Sequence, residues 1–228
     1  MKKHFMKHRI SFVVLALAIA VGVSACDSSV RTTNTAANTS SATTASPSPA
    51  ASMGEMSGMS HDSMMKSSPD AASAPYDLQF LDTMSEHHQA AIDMAKPAEN
   101  KAQHMELKSL AKNIVADQQK EIAQMKSWRD AWFAGKPVAM NMEMSGMMDS
   151  MKGMDMGKLN AATGNDFDLM FIDMMTPHHA GAVTMAQEAL TKAQHPEIKK
   201  LAQGIIDAQK KEIAQMNDWK KAWTNTQK

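Results

Sequence analysis

The chain has 228 residues, with 24 Lys and Arg against 24 Asp and Glu and a formal net charge of zero. That balance, without a basic aromatic-rich surface, excludes a nucleic-acid partner held by electrostatics. The single cysteine, Cys26, excludes an intramolecular disulfide and a cysteine-based zinc site.

Residues 1–25 read as a secretory signal. Lys2, Lys3, Lys7 and Arg9 precede an apolar run from Ile10 to Val23 that is too short for a comfortable membrane span. Val23-Ser24-Ala25-Cys26 resembles a bacterial lipobox, so Cys26 is expected to be the lipidated N-terminus of an anchored, extracytoplasmic protein. Residues 26–74 are rich in Ser, Thr, Ala, Pro and Asn, with Met53, Met56, Met59, His61, Met64 and Met65 among them. Such a segment cannot offset its ordering entropy and is expected to be a disordered tether.

The next segments are two copies of one helical hairpin. Tyr76 to Trp132 aligns without a gap on Phe167 to Trp223, and about half of the positions are identical. The first copy (75–134) carries apolar-periodic segments from about Tyr76 to Ala98 and from Glu106 to Phe133. The second (166–225) carries them from about Asp166 to Leu190 and from Pro196 to Trp223. Short breaks inside each copy favour antiparallel neighbours, and two such hairpins packed together make an all-α four-helix bundle.

At 100° per residue, Phe80, Met84, His87, His88, Ala91, Met94 and Ala95 share one face of the first helix. Phe171, Met175, His178, His179, Ala182, Met185 and Ala186 repeat that face in the second copy. On the partner helices Glu121 and Glu212 fall inside the buried stripes. A carboxylate there costs several kcal/mol unless an imidazole or a cation pairs with it. Met84, His87, His88, Met94, Met175, His178, His179 and Met185 are therefore candidate metal ligands, with Glu121, Glu212, His104 and His195 as orienting or additional ligands. The plainer reading makes each histidine a satisfied core residue and each methionine a gap-filler. Trp128/Trp132 and Trp219/Trp223 are assigned to packing at the end of the bundle.

A methionine-rich linker, 135–165, separates the copies. Met140, Met142, Met144, Met147, Met148, Met151, Met154 and Met156 stand among Gly, Ser, Asp, Glu, Asn and Lys, with no apolar face for them to join. The linker is expected to be flexible and to capture ions. Thioether is a soft, neutral ligand that suits Cu(I) or Ag(I). An oxidant-scavenging tract is the alternative.

Phe171-Ile172-Asp173-Met174-Met175-Thr176-Pro177-His178-His179-Ala180-Gly181-Ala182-Val183-Thr184-Met185-Ala186 resembles the signature of the CopM-like family, bacterial domain-of-unknown-function family 305. The resemblance covers both repeats. It implies a ferritin-like four-helix bundle, an extracytoplasmic location and, for some members, copper binding in copper tolerance. The first copy departs from the pattern, with Glu86 for the proline and Ala90 for the glycine, while its ligands stay. Pro177 is expected to kink the helix or to start a new segment. Neither repeat contains the Glu-x-x-His spacing of di-iron bundles, which leaves oxidase chemistry of that type unsupported. The leading functional expectation is a membrane-anchored protein that sequesters or carries copper, Cu(I) above all, and exchanges it with a copper-handling partner. A cuprous-oxidase-type enzyme and a metal-free interaction module are the alternatives.

Overall fold

The computed structural model describes residues 66–225; the signal segment, Cys26 and the tether methionines lie outside the described residues. Four long helices make the body: α1 (Tyr76–Ala95), α3 (Met105–Trp132), α6 (Gly164–Lys192) and α7 (Pro196–Asn225). Three short ones, α2 (Ala98–Lys101), α4 (Met147–Ser150) and α5 (Met156–Ala161), lie between them. Extended pairing among the described residues is limited to one isolated bridge, Ala102 with Gly164. The result is an all-α four-helix bundle of two hairpins.

Local chemistry sets most boundaries. α1 closes at Ala95, two residues before Pro97, whose ring cannot extend it. α7 opens on Pro196, a position where a missing amide costs nothing. Pro177 behaves differently from the restart considered above, because α6 runs through it unbroken. The proline removes one amide from the ladder, but Met174, Met175, His178 and His179 on either side are buried, and that packing holds the helix together.

The two hairpins are locked by a reciprocal pair of clamps. Near the start of α1, the Asp77 carboxylate accepts the backbone N–H groups of Gln194 at 2.9 Å and His195 at 3.0 Å, and sits 2.5 Å from His195 Nδ1. Near the start of α6, Asp168 receives Gln103 at 3.0 Å and His104 at 2.9 Å, with His104 Nδ1 at 2.6 Å. Each aspartate thus satisfies backbone donors just ahead of the other hairpin's second helix. Each imidazole also stacks on a tryptophan, His195 on Trp132 and His104 on Trp223, both with centroids 3.8 Å apart. The tryptophan pairs Trp128/Trp132 and Trp219/Trp223 stack as well. Because Asp77 reaches the end of α6 and Asp168 the end of the first hairpin loop, α1 and α6 run antiparallel.

The linker contradicts the expectation of flexibility. Met142, Met144, Met147 and Met151 are buried, Met140, Met154 and Met156 are half-buried, and Met148 is 51% exposed. An apolar face for them exists after all, supplied by the bundle itself: the four buried methionines pack with Phe80, Met84, Met125, Val183 and Met185. Polar side chains of α1 pin the linker's start. Asp82 accepts from Ala139 N at 2.8 Å while holding Arg129 at 2.7 Å, and Thr83 Oγ1 accepts from Asn141 N at 2.9 Å. Asn141 Nδ2 donates to Gln79 at 2.8 Å. Further on, Gly146 lies directly against Gly181 of α6. A Cβ on Gly181 would stand 2.5 Å from the Gly146 carbonyl oxygen and overlap the Ser150 side chain. Gly146 itself has φ +86°, a conformation that favours glycine.

These contacts explain the divergence at Gly181 and Ala90. Gly181→Ala should destabilise the domain by about 1–3 kcal/mol through overpacking against α4, despite alanine's better helix propensity. Chemical denaturation measures this directly, and an unchanged or raised midpoint would contradict the close approach.

Candidate metal centre

The register set by the aspartate clamps brings the four central histidines together. His87 is 1% exposed, and His88, His178 and His179 are 0% exposed. The rings of His87 and His178 meet across the α1–α6 contact with centroids 3.7 Å apart and planes tilted by 33°. His88 and His179 flank them, each turned toward its own hairpin's second helix. His88 Nε2 is 2.7 Å from Glu121 Oε2, a hydrogen bond. His179 Nε2 is 2.9 Å from Glu212 Oε2, close enough for an ion pair but out of hydrogen-bond alignment. The core carboxylates thus have imidazole partners, as their position on the stripe requires.

The histidine layer divides the core. On α1 it separates Phe80, Leu81 and Met84 from Ala91, Met94 and Ala95; on α6 it separates Phe171, Ile172 and Met175 from Ala182, Met185 and Ala186. Because the helices are antiparallel, Met84 joins Met185, and Met94 joins Met175. Met125 and Met216 complete the two groups, so a buried methionine trio stands on each side of the layer. Met125 and Met216 are not among the ligands expected from the sequence. Their presence four residues after Glu121 and Glu212 in both copies was the available signal.

His104 and His195 do not join this layer. His104 precedes Glu121 by 17 positions, roughly 25 Å along the helix, and its Nδ1 is engaged by Asp168. His195 is held in the same way by Asp77. Both serve the clamps, and the additional-ligand expectation does not fit where they stand. Asp77 and Asp168, which sequence reasoning passed over, are retained in both copies and could have been found on that ground.

The layer is dry and short of partners. Both ring nitrogens of His178 lack a hydrogen bond, as do Nδ1 of His88 and Nδ1 of His179, and those of His87 make no aligned one, although the His178 backbone lies beside the ring. Most buried polar atoms in folded proteins are paired, so such a concentration asks for a ligand. Among the described residues, no three His, Cys, Asp or Glu side chains converge as a metal cage. The two methionine trios place thioether sulfurs on either side of the layer as further donors. Neutral imidazole with thioether is a donor set for a soft, low-charge ion.

Burial holds the pKa values of His87 and His178 well below the usual 6.5, and the neighbouring imidazoles push them in the same direction. Both rings are therefore neutral and ligand-competent at neutral pH. Below about 6.5 the unfolded chain takes up protons at these positions while the fold does not, so stability falls as pH drops through that value. The metal-free protein should melt at lower temperature at pH 5 than at pH 7.5, its stability falling by up to about 1.4 kcal/mol per pH unit per histidine. The double variant H87L/H178L should flatten that dependence. An apo melting curve independent of pH over this range would contradict neutral burial.

Comparison with known proteins places these features in a family. The model of the family described as "Domain of unknown function (DUF305)" matches residues 24–129 and 77–220. The solved structure of CopM in the Cu(I)-bound form is 43% identical, with a TM-score of 0.55, covering 64% of this chain and 96% of that one. CopM has also been solved in Cu(II)-bound and Ag-bound forms. A DUF305 protein of Streptomyces coelicolor described as secreted is 29% identical with a TM-score of 0.58, covering 66% of this chain and 94% of that one. A curated relative, the uncharacterized protein L153 of Acanthamoeba polyphaga mimivirus, is 40% identical over 50 residues. That match spans 22% of this chain and only a third of the relative. With matches reaching from residue 24 to residue 220, the chain belongs to the DUF305 family.

Proposed function

We propose that this protein binds copper outside the cytoplasm, chiefly as Cu(I) and with Ag(I) as a surrogate, and sequesters or carries it. The observation that carries the reading is the dry layer of four imidazoles with unpaired nitrogens, set between two trios of buried methionine sulfurs. The similarity to CopM, solved with Cu(I), Cu(II) and silver, supports the choice of metal. His87, His88, His178 and His179 supply nitrogen; Met84, Met94, Met175 and Met185 supply sulfur. Glu121 and Glu212 orient the outer imidazoles and offset the charge of the ion.

In this reading the linker methionines act from a folded segment. Met142, Met144, Met147 and Met151 continue the sulfur lining outward from Met84 and Met185, and exposed Met148 stands at its surface. The tether methionines and the lipidated Cys26 lie outside the described residues. They would hold the bundle at a membrane and offer ions their first soft contacts. No described helix is long and apolar enough to cross a membrane, and a lipid anchor needs none. A copper-handling protein would supply or receive the ion.

Three measurements test this. Replacing Met84, Met94, Met175 and Met185 by leucine conserves volume closely enough to cost less than about 1.5 kcal/mol per site. Ag(I) affinity should nevertheless fall at least about tenfold, by roughly 1.4 kcal/mol or more. Retention of Cu(I) at pH 5 should fall most in this variant, since thioether has no proton to compete with the ion. Isothermal titration with Ag(I) decides the matter, and unchanged affinity would remove the thioethers from the site. Separately, Cys26→Ala should move the protein from the membrane to the soluble extracytoplasmic fraction; continued membrane retention would refute the lipid anchor.

A further inference from the structure

Two buried amides beside the histidine layer are left unexplained by the site as described. Gln118 is 4% exposed and Gln209 is 3% exposed, and the side-chain oxygen of each has no hydrogen-bond partner. They occupy the same position in the two repeats. Gln118 precedes Glu121 by three residues, about 4.5 Å along α3, on the same inward face. Glu121 meets His88, and α3 runs back along α1, so Gln118 stands level with Ala91. That residue is small and fully buried, which leaves room for the amide. By the repeat, Gln209 stands level with Ala182. Each amide therefore lies between the histidine layer and one methionine trio.

A packing role does not account for them. Leucine would fill nearly the same volume without leaving a buried carbonyl oxygen unpaired, an omission that is costly in a fold's interior. The shortage has a counterpart across the layer. A neutral imidazole carries one N–H, and those of His87 and His178 make no aligned hydrogen bond at either ring nitrogen, although the His178 backbone lies beside the His87 ring. Two amide oxygens lack donors, and two imidazoles lack aligned acceptors, within about one helical turn of one another.

A histidine that binds a metal through one nitrogen needs its other N–H held, because that bond fixes both tautomer and ring direction. His88 has Glu121 for this purpose and His179 has Glu212 beside it, whereas the tilted inner pair has no aligned acceptor, only the His178 backbone beside His87. We propose that Gln118 and Gln209 are positioning residues whose side-chain oxygens accept the N–H of His87 and His178 when these rings leave their stack to bind a soft monovalent ion. The amide thereby selects the ligating tautomer of each inner histidine. This rests on the copper-binding reading above and adds to it the residues that orient the inner pair.

The test uses Ag(I) with the wild-type protein and with the double variants Q118L/Q209L and Q118E/Q209E. The leucine pair should bind Ag(I) about 10- to 100-fold more weakly. Its metal-free melting midpoint should stay level or rise, since unpaired buried oxygens have been removed. Long-range ¹H–¹⁵N spectra of the Ag(I)-loaded protein should show His87 and His178 each in one tautomer in the wild type and in mixed tautomers in the leucine pair. The glutamate pair, which keeps an acceptor at each position, should recover most of the affinity. Unchanged Ag(I) affinity in Q118L/Q209L would overturn this inference alone. So would a loss of affinity accompanied by a lower apo midpoint and unaltered tautomers, which would make the amides packing residues. A wild-type protein that took up no Ag(I) would overturn this inference together with the copper-binding reading.

Discussion

The rest of the molecule depends on the two aspartate clamps. Asp77 and Asp168 each collect two backbone amides and an imidazole Nδ1 from the other hairpin. Hydrogen bonds to a charged acceptor are stronger than neutral ones, and these lie at the two ends of the α1–α6 pair. Fixing both ends of an antiparallel pair fixes its register, and register decides which residues meet at its middle. A shift of one turn would move His87 off His178 and carry methionine or alanine into its place. The stacking of His195 on Trp132 and of His104 on Trp223 ties the clamps to the ends of α3 and α7, so all four long helices are referenced to the same two carboxylates.

The register concentrates a cost at the centre of the core. Four imidazoles, two amide oxygens and two half-buried carboxylates occupy the level where a bundle built for stability alone would place leucine. Only part of that polar surface is satisfied, through His88 with Glu121 and the less well aligned His179 with Glu212. The apolar clusters above and below the layer supply the stability that it forgoes. A layer of this kind is maintained when a ligand completes it, and binding then adds to stability by mass action.

The linker breaks the symmetry of the duplicated bundle. It is pinned to α1 by Gln79, Asp82 and Thr83 and lies against α6 at Gly181. The positions equivalent to Gln79 and Thr83 in the second copy are Met170 and Met174, and the position equivalent to Gly181 in the first is Ala90. Asp82 is retained as Asp173, but Gln79, Thr83 and Gly181 differ from their counterparts where the linker touches them, so these differences between the copies record a contact as much as a relaxation of constraint. One consequence is chemical. The Met84–Met125–Met185 side of the histidine layer is continuous with four further buried methionines, whereas the Met94–Met175–Met216 side has one, Met174, with Met154, Met156 and Met170 half-buried against it.

Much of this was legible in the sequence. The 3.6-residue periodicity marked the four long helices, the duplication marked the hairpins, and the retained Met-His-His-Met stripes marked the faces that meet. Glu121 and Glu212 could be placed in the core because helical position alone puts them on the apolar stripe. These are local properties, carried by spacing along a single helix. What the sequence did not disclose came from contacts between segments far apart in the chain. The folding of the linker depended on an apolar surface belonging to other helices, so its own composition read as that of a flexible tract. The fate of His104 depended on Asp168, 64 positions away, and that of His195 on Asp77, 118 positions away. The continuity of α6 through Pro177 depended on burial on both sides of the proline. Periodicity determined which side chains face inward; only tertiary structure decided which of them face one another, because register between helices is set by a few long-range bonds that no single helix encodes.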